Sequence, residues 1–125
     1  MKQRYRLRRR SDFQRVLQAG RLYAGPTLVA FATPGSSAES RVGVTVSRQV
    51  GGAVHRNRLR RRLREVARTR LLRDDSPLVA QGIKYDVVLI ARPAALTADV
   101  PRLEKDAEAF LRRLAGRRPE AAAAP

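Results

Sequence analysis

The chain has 125 residues, enough for one domain with a single core, and carries 27 Lys and Arg against 11 Asp and Glu, a formal net charge of +16. A domain this basic repels itself and attracts polyanions, so nucleic acid is the expected partner ahead of an anionic membrane surface. The lack of cysteine and the single histidine, His55, exclude disulfides, thiolate metal sites and a zinc site built on a His pair.

The first ten residues, MKQRYRLRRR, read as a basic arm that lies on a partner or stays mobile without one. A single domain is expected over residues 11–115. Ser11 suits an N-cap, and Asp12 suits the N-terminal end of a first helix. Phe13, Val16 and Leu17 share one side of that helix, and Gly20 suits the C′ position that closes it. Arg21 to Ala24 reads as a short strand, and Gly25-Pro26 punctuates the chain. Thr27 to Thr33 reads as the next strand. There Leu28, Ala30 and Ala32 form a core face, while Phe31 shares a half-polar face with Thr27, Val29 and Thr33.

Pro34 to Ser40 is expected to be a turn between hairpin strands. Arg41 to Ser47 follows as a strand, with Val42, Val44 and Val46 on one face. Gly51-Gly52 breaks the pattern, and a helix is predicted from Ala53 to Leu72. Asp74 to Gly82 reads as a loop. Tyr85 to Ala91 is the most hydrophobic strand and is expected to be central. A last helix is expected from about Asp99 to Leu114, with Leu103, Ala107, Phe110 and Leu114 on one stripe. Residues 116–125 are expected to form a disordered tail. The order α-β-β-β-α-β-α predicts an α+β fold, a two-layer α/β sandwich with a four-stranded sheet. No apolar run reaches membrane-spanning length, and no secretory signal is recognisable, so a cytoplasmic protein without a membrane partner is expected. No obligate protein partner is evident.

The predicted basic helix carries the strongest functional signal. Leu59, Leu63, Val66 and Ala67 fall on one stripe; Asn57, Arg60, Arg61, Arg64 and Arg68 gather opposite, with Arg58 and Arg62 on a flank. Glu65 is the only acid between Arg41 and Arg73. A solvated helix gains from mixed signs at i,i+4, whereas Arg60, Arg64 and Arg68 repel one another. Such a row suits phosphate oxygens. Lysine is confined to Lys2, Lys84 and Lys105. A coding bias explains that ratio as well as function does, but it does not explain the positive excess.

No catalytic or metal-ligating set is predicted. Asp86 stands alone on its strand; Glu104, Asp106 and Glu108 fall on a helix expected at the surface, so no acidic cluster suits a two-metal nuclease. His55 has no carboxylate orienter or nucleophile beside it.

Ser47, Val50, Gly51, Ala53-Val54, Arg56-Asn57-Arg58, Arg61, Arg64 and Glu65 resemble the signature of the protein subunit of bacterial ribonuclease P. Arg8 to Gly20, with its Asp12-Phe13 pair, and the segment YDVVLIARPAA extend the resemblance over residues 6–114. The resemblance implies a small basic sandwich, ribosomal protein S5 domain 2-like, that binds a catalytic RNA. That RNA would carry the active site and most of the Mg2+, and the holoenzyme would remove the 5′ leader from precursor tRNA. The protein would be an accessory subunit of this endoribonuclease.

By the same resemblance, Arg56, Asn57, Arg58, Arg61 and Arg64 face the catalytic RNA; Arg60 and Arg68, on the same helix face, and Arg48, where a lysine is common, are expected to bind RNA with them. Gln49 stands where a second lysine is common. Phe13 and Phe31 line a cleft for the leader, and Leu17 stands where many members carry another aromatic. For Phe13 and Phe31, composition alone favours plain core packing, while single-stranded RNA binding favours aromatics beside cations. A ribosomal-type structural protein or an RNA chaperone explains charge and size equally well. A DNA reader with the basic helix in a major groove is a third reading, without a recognisable dimerisation segment.

Overall fold

A computed structural model describes residues 1–80 and 82–117; the tail expected at residues 116–125 lies largely outside them. The main elements are α1 (Arg10–Gln18), β1 (Arg21–Ala24), β2 (Leu28–Pro34), β3 (Arg41–Thr45), α2 (Ala53–Val66), α3 (Pro77–Ala80), β4 (Tyr85–Ala91) and α4 (Val100–Ala115).

The four strands form one sheet in the order β1-β2-β4-β3. β4 is central, as its apolar sequence predicts. It pairs antiparallel with β2, from Leu28 opposite Ala91 to Pro34 opposite Tyr85, and parallel with β3, from Arg41 opposite Asp86 to Thr45 opposite Ile90. Residues 34–40 therefore do not join a hairpin. β2 and β3 lie on either side of β4, which is buried along almost its whole length and so takes the place with a hydrogen-bonded neighbour on each edge.

The sheet is covered unequally. On one face, Leu28, Ala30, Ala32, Val42, Val44, Val87 and Leu89 meet Leu59, Leu63 and Val66 of α2 and Leu103, Ala107 and Phe110 of α4 in the main core. The other face carries only a small cluster: Leu7, Val16 and Val88, with Phe13, Phe31 and Ile90 packed around them. The short α1 covers just part of this face, which leaves its aromatics half-buried.

Helix ends depart from the sequence in instructive ways. Ser11 is not the N-cap of α1. The helix starts at Arg10, with Arg9 as an extended cap residue that makes no side-chain bond. The reason lies upstream: Leu7 is buried and its N–H donates to the Val42 carbonyl (3.1 Å), so the incoming chain turns into the helix sooner. The basic arm is thus seated against β3, with Arg6 bridged to Val42 in parallel. Gly20 has φ +97°, as a C′ glycine should. α2 continues into a wider turn at residues 67–71, where the Leu72 N–H donates to the Ala67 carbonyl (2.9 Å). The predicted loop at residues 74–82 contains α3. The Ser76 hydroxyl accepts from the Leu78 N–H (3.0 Å) and Pro77 starts the turn, which buries Leu78.

Asp106 is not a surface residue. Its carboxylate is buried and accepts from the Thr27 N–H (2.8 Å), the Tyr23 hydroxyl (2.7 Å) and the Thr27 hydroxyl. This latches the β1–β2 turn to α4. A Cβ at Gly25 would collide with the same carboxylate, so only glycine fits there. Burial and then the bond to Asp106 push the Tyr23 phenol up to about 12.

Candidate nucleic-acid interface

The stripe that buries Leu59, Leu63 and Val66 turns the arginines of α2 outward. Asn57, Arg58, Arg61 and Arg68 are exposed, and Arg56, Arg60 and Arg64 are half-buried. Asn57 acts locally. Its Oδ1 accepts from Arg60 Nη1 (2.6 Å), which steers that guanidinium. Among the described residues no acid pairs with Arg56, Arg58, Arg60, Arg61 or Arg64. Arg68 differs from its expected state. Its Nε donates to one Glu65 carboxylate oxygen at 3.1 Å and its Nη2 to the other, and the pairing raises the Arg68 pKa and lowers that of Glu65. The last member of the predicted repulsive row is therefore neutralised within its own helix.

Arg64 stands at the opposite extreme. Burial first, and then the charges of Arg6 and Arg60, push its pKa down. A guanidinium stays protonated even so, and cations crowded at a half-buried site stabilise any anion that arrives. Arg48 is exposed on the turn that leads into α2.

The second predicted site lies under α1. Phe13 and Phe31, from α1 and β2, come together in the small cluster on the open sheet face. The Phe13 ring sits directly over Gly43 of β3, where any Cβ would collide with it. Leu17, one turn further along α1, is 38% exposed and stays outside the cluster. The groove thus has two aromatic rings and an aliphatic flank.

An ion-pair network centred on the buried Asp86 braces this groove. Asp86 is fully buried; Arg41 grips it with two nitrogens, Nε at 3.0 Å and Nη2 at 2.9 Å, and Arg15 of α1 also donates to it. Asp12 lies within 3.7 Å of Arg15 and 3.6 Å of Arg41. The bond to Asp86 raises the Arg41 pKa. Asp86 is the lone acid of β4, as expected, but arginines from α1 and β3 close on it, and α1 is clamped to β3 and β4 beside Phe13. Arg41 sits opposite Asp86 in the parallel register, a pairing that neither strand reveals by itself.

Among the described residues no three His, Cys, Asp or Glu side chains converge as a metal cage, and no helix is long and apolar enough to cross a membrane. What the described surface offers is a cationic helix face and an aromatic groove.

The family model for ribonuclease P matches residues 1–115, spanning both features. This chain belongs to the ribonuclease P protein family. It is 42% identical over 113 residues to the ribonuclease P protein component of Chloroflexus aurantiacus, covering 90% of this chain and 78% of that protein. It is 45% identical over 105 residues to the component of Dehalococcoides mccartyi, covering 84% and 80%. Among solved structures, the ribonuclease P protein of Thermotoga maritima in complex with 1-(4-fluorophenyl)-2-thiourea superposes with a TM-score of 0.71 at 27% identity, covering 86% of this chain and 98% of that one. The Staphylococcus aureus ribonuclease P protein gives 0.68 at 25% identity, covering 90% and 95%. The expected fold and family of the chain are the ones found.

Proposed function

We propose that the α2 face binds the catalytic RNA of ribonuclease P and that the Phe13–Phe31 groove receives the 5′ leader of precursor tRNA. As a family member the chain serves as the protein subunit of this tRNA-processing ribonucleoprotein. The observation that carries the finer reading is the row Arg58, Arg61 and Arg64, which has no acidic partner among the described residues while the neighbouring Arg68 does. A row left uncompensated has its complement elsewhere, and a folded RNA presents phosphates at matching density.

The role of the chain in this reading is electrostatic and positional. Its arginines neutralise phosphates that would otherwise need metal ions, and Phe13 gives a leader base a face to stack on. Cleavage itself is assigned to the RNA, with Mg2+ held mainly there. Three carboxylates are already engaged in the fold, Asp12 and Asp86 by arginines and Asp106 by hydroxyls and an N–H. This role belongs in the cytoplasm, with tRNA precursors.

The test is reconstitution at low Mg2+ with the RNA subunit and precursor tRNA. Added protein is expected to stimulate 5′ cleavage, and rigorously RNA-free protein is expected to cleave nothing. Bulk RNA binding without stimulation, or cleavage by the protein alone, would overturn the reading.

A further inference from the structure

The docked N-terminal arm creates a cavity that neither the α2 face nor the aromatic groove uses. It has a volume of about 480 Å3. Arg4, Arg6, Arg8 and Arg9 of the arm line it together with Arg41 of β3. Ser36 and Ser37, from the β2–β3 connection, bring hydroxyls, and Asp12 is the only acid in the lining. Asp12 lies closest to Arg15 and Arg41, and Arg41 is held by Asp86. Among the described residues, the four arm arginines have no acidic partner. Arg8 donates to the neutral Gln3 side chain (2.8 Å), and Arg4 lies over the Tyr5 ring at 5.0 Å.

Four guanidinium groups brought together with no acid paired to any of them repel one another, and the arm is nevertheless seated, by Leu7 and its bond to Val42. Such a wall suits an anion with several oxygens at once. Its position narrows the choice. Asp12 is followed in sequence by Phe13, and Arg41 lies two residues before Gly43, on which the Phe13 ring rests. The cavity therefore adjoins one end of the aromatic groove. On its far side, Arg6 belongs to the group of charges that crowd Arg64 on α2. A strand with a base stacked on Phe13 would carry its backbone into the cavity.

We propose that this arginine-walled cavity is a second RNA site, which binds phosphodiesters of the single-stranded leader where it leaves the Phe13 groove. The inference rests on the groove reading above and extends it. Guanidinium and hydroxyl donors read phosphate oxygens, so the site is indifferent to leader sequence and sensitive to leader length.

The holoenzyme, assembled on its RNA subunit, tests this with precursor tRNAs carrying long or short leaders and with mature tRNA. Two double variants probe the cavity: Arg8→Ala with Arg9→Ala, and Ser36→Asp with Ser37→Asp. The serine pair sits on a surface connection and introduces repulsion even if the arginine pair disturbs the arm. Each is expected to weaken long-leader precursor binding about tenfold, the scale of a lost charged hydrogen bond. The arginine variant should also flatten the dependence of log K on log salt by about 0.7 per lost contact. Short-leader precursor, mature tRNA and RNA-subunit affinities should hold. Unchanged long-leader binding by both variants, with melting curves intact, would overturn the site. A loss that appears instead in RNA-subunit binding would overturn the leader as its occupant. Wild-type protein that cannot tell a long-leader precursor from mature tRNA would break the groove reading itself, and this extension with it.

Discussion

Helices α2 and α4 pack against each other over the same sheet face, but only α4 works in a balanced field of charge. Glu104 of α4 accepts from Arg70 at 3.0 Å, Glu108 pairs with Arg73, and Asp106 is consumed by hydroxyls and an N–H. On α2 the single acid, Glu65, is taken by Arg68, and Arg58, Arg61 and Arg64 face outward with nothing to meet among the described residues. Both helices bury an aliphatic stripe, so both contribute to folding. The difference lies in the outward face. α4 sets three acids beside its four basic residues, whereas α2 sets one beside six arginines, and it is this crowded, unbalanced row that suits a polyanion.

The comparison breaks if the buried stripes prove to carry RNA binding, or the outward face stability. Phe110 of α4 is fully buried, so Phe110→Ala should cost about 3–5 kcal/mol in chemical denaturation. The variant that remains folded should bind the RNA subunit as the wild type does. A selective loss of RNA affinity with unchanged stability would contradict the division. On the open sheet face, Phe13→Ala should weaken binding of leader-bearing precursor by about 1–3 kcal/mol and spare mature tRNA. Equal losses for both substrates would return Phe13 to plain packing.

The ion-pair network under the groove offers a sharper contrast with α2, because its arginines do have a partner. Asp86→Ala strands Arg41 and Arg15 and should lower stability by about 1–3 kcal/mol. The cost stays below that of a fully buried pair because both arginines keep some solvent. Denaturation at neutral pH would measure it, and an unchanged midpoint would mean the network is not holding α1.

The smallest effect concerns the α4 latch. Tyr23 has its phenol pushed up to about 12, against 10.0 when unperturbed. Above pH 10 the unfolded chain releases this proton while the folded chain keeps it. Stability from this group is therefore present below pH 10 and lost as pH rises toward 12. Tyr23→Phe should show a shallower decline across that window, and spectrophotometric titration should lose one late phenol. Identical declines would mean that the bond to Asp106 does not hold the proton.

Much of this contrast is legible in the sequence, and its limits have a common physical cause. Patterns with short periods read well: the α2 stripe, the split faces of β2, the apolar run of β4 and the Gly20 stop all stand where their spacing puts them. Pairings across long separations do not. Asp86 meets arginines 45 and 71 residues away, and Asp106 meets partners 79 and 83 residues away. An isolated acid on a strand or helix therefore looks solvated until the fold brings its partners in. The β2–β3 connection has hairpin-like turn residues, yet β4 wins the place between those strands because its burial on both faces is worth more than a local turn. Gly43 is a usable clue: a glycine inside a strand pattern marks a close approach, here that of Phe13.

The central claim is that the uncompensated face of α2 binds RNA phosphates. Its most direct test is the salt dependence of RNA-subunit binding for the wild type, Arg61→Ala, Arg64→Ala and the paired-arginine control Arg70→Ala. The account predicts that each α2 substitution lowers the slope of log K against log salt by about 0.7–0.9, that Arg70→Ala leaves it in place, and that the two α2 variants melt like the wild type. Equal slopes for all four would contradict it.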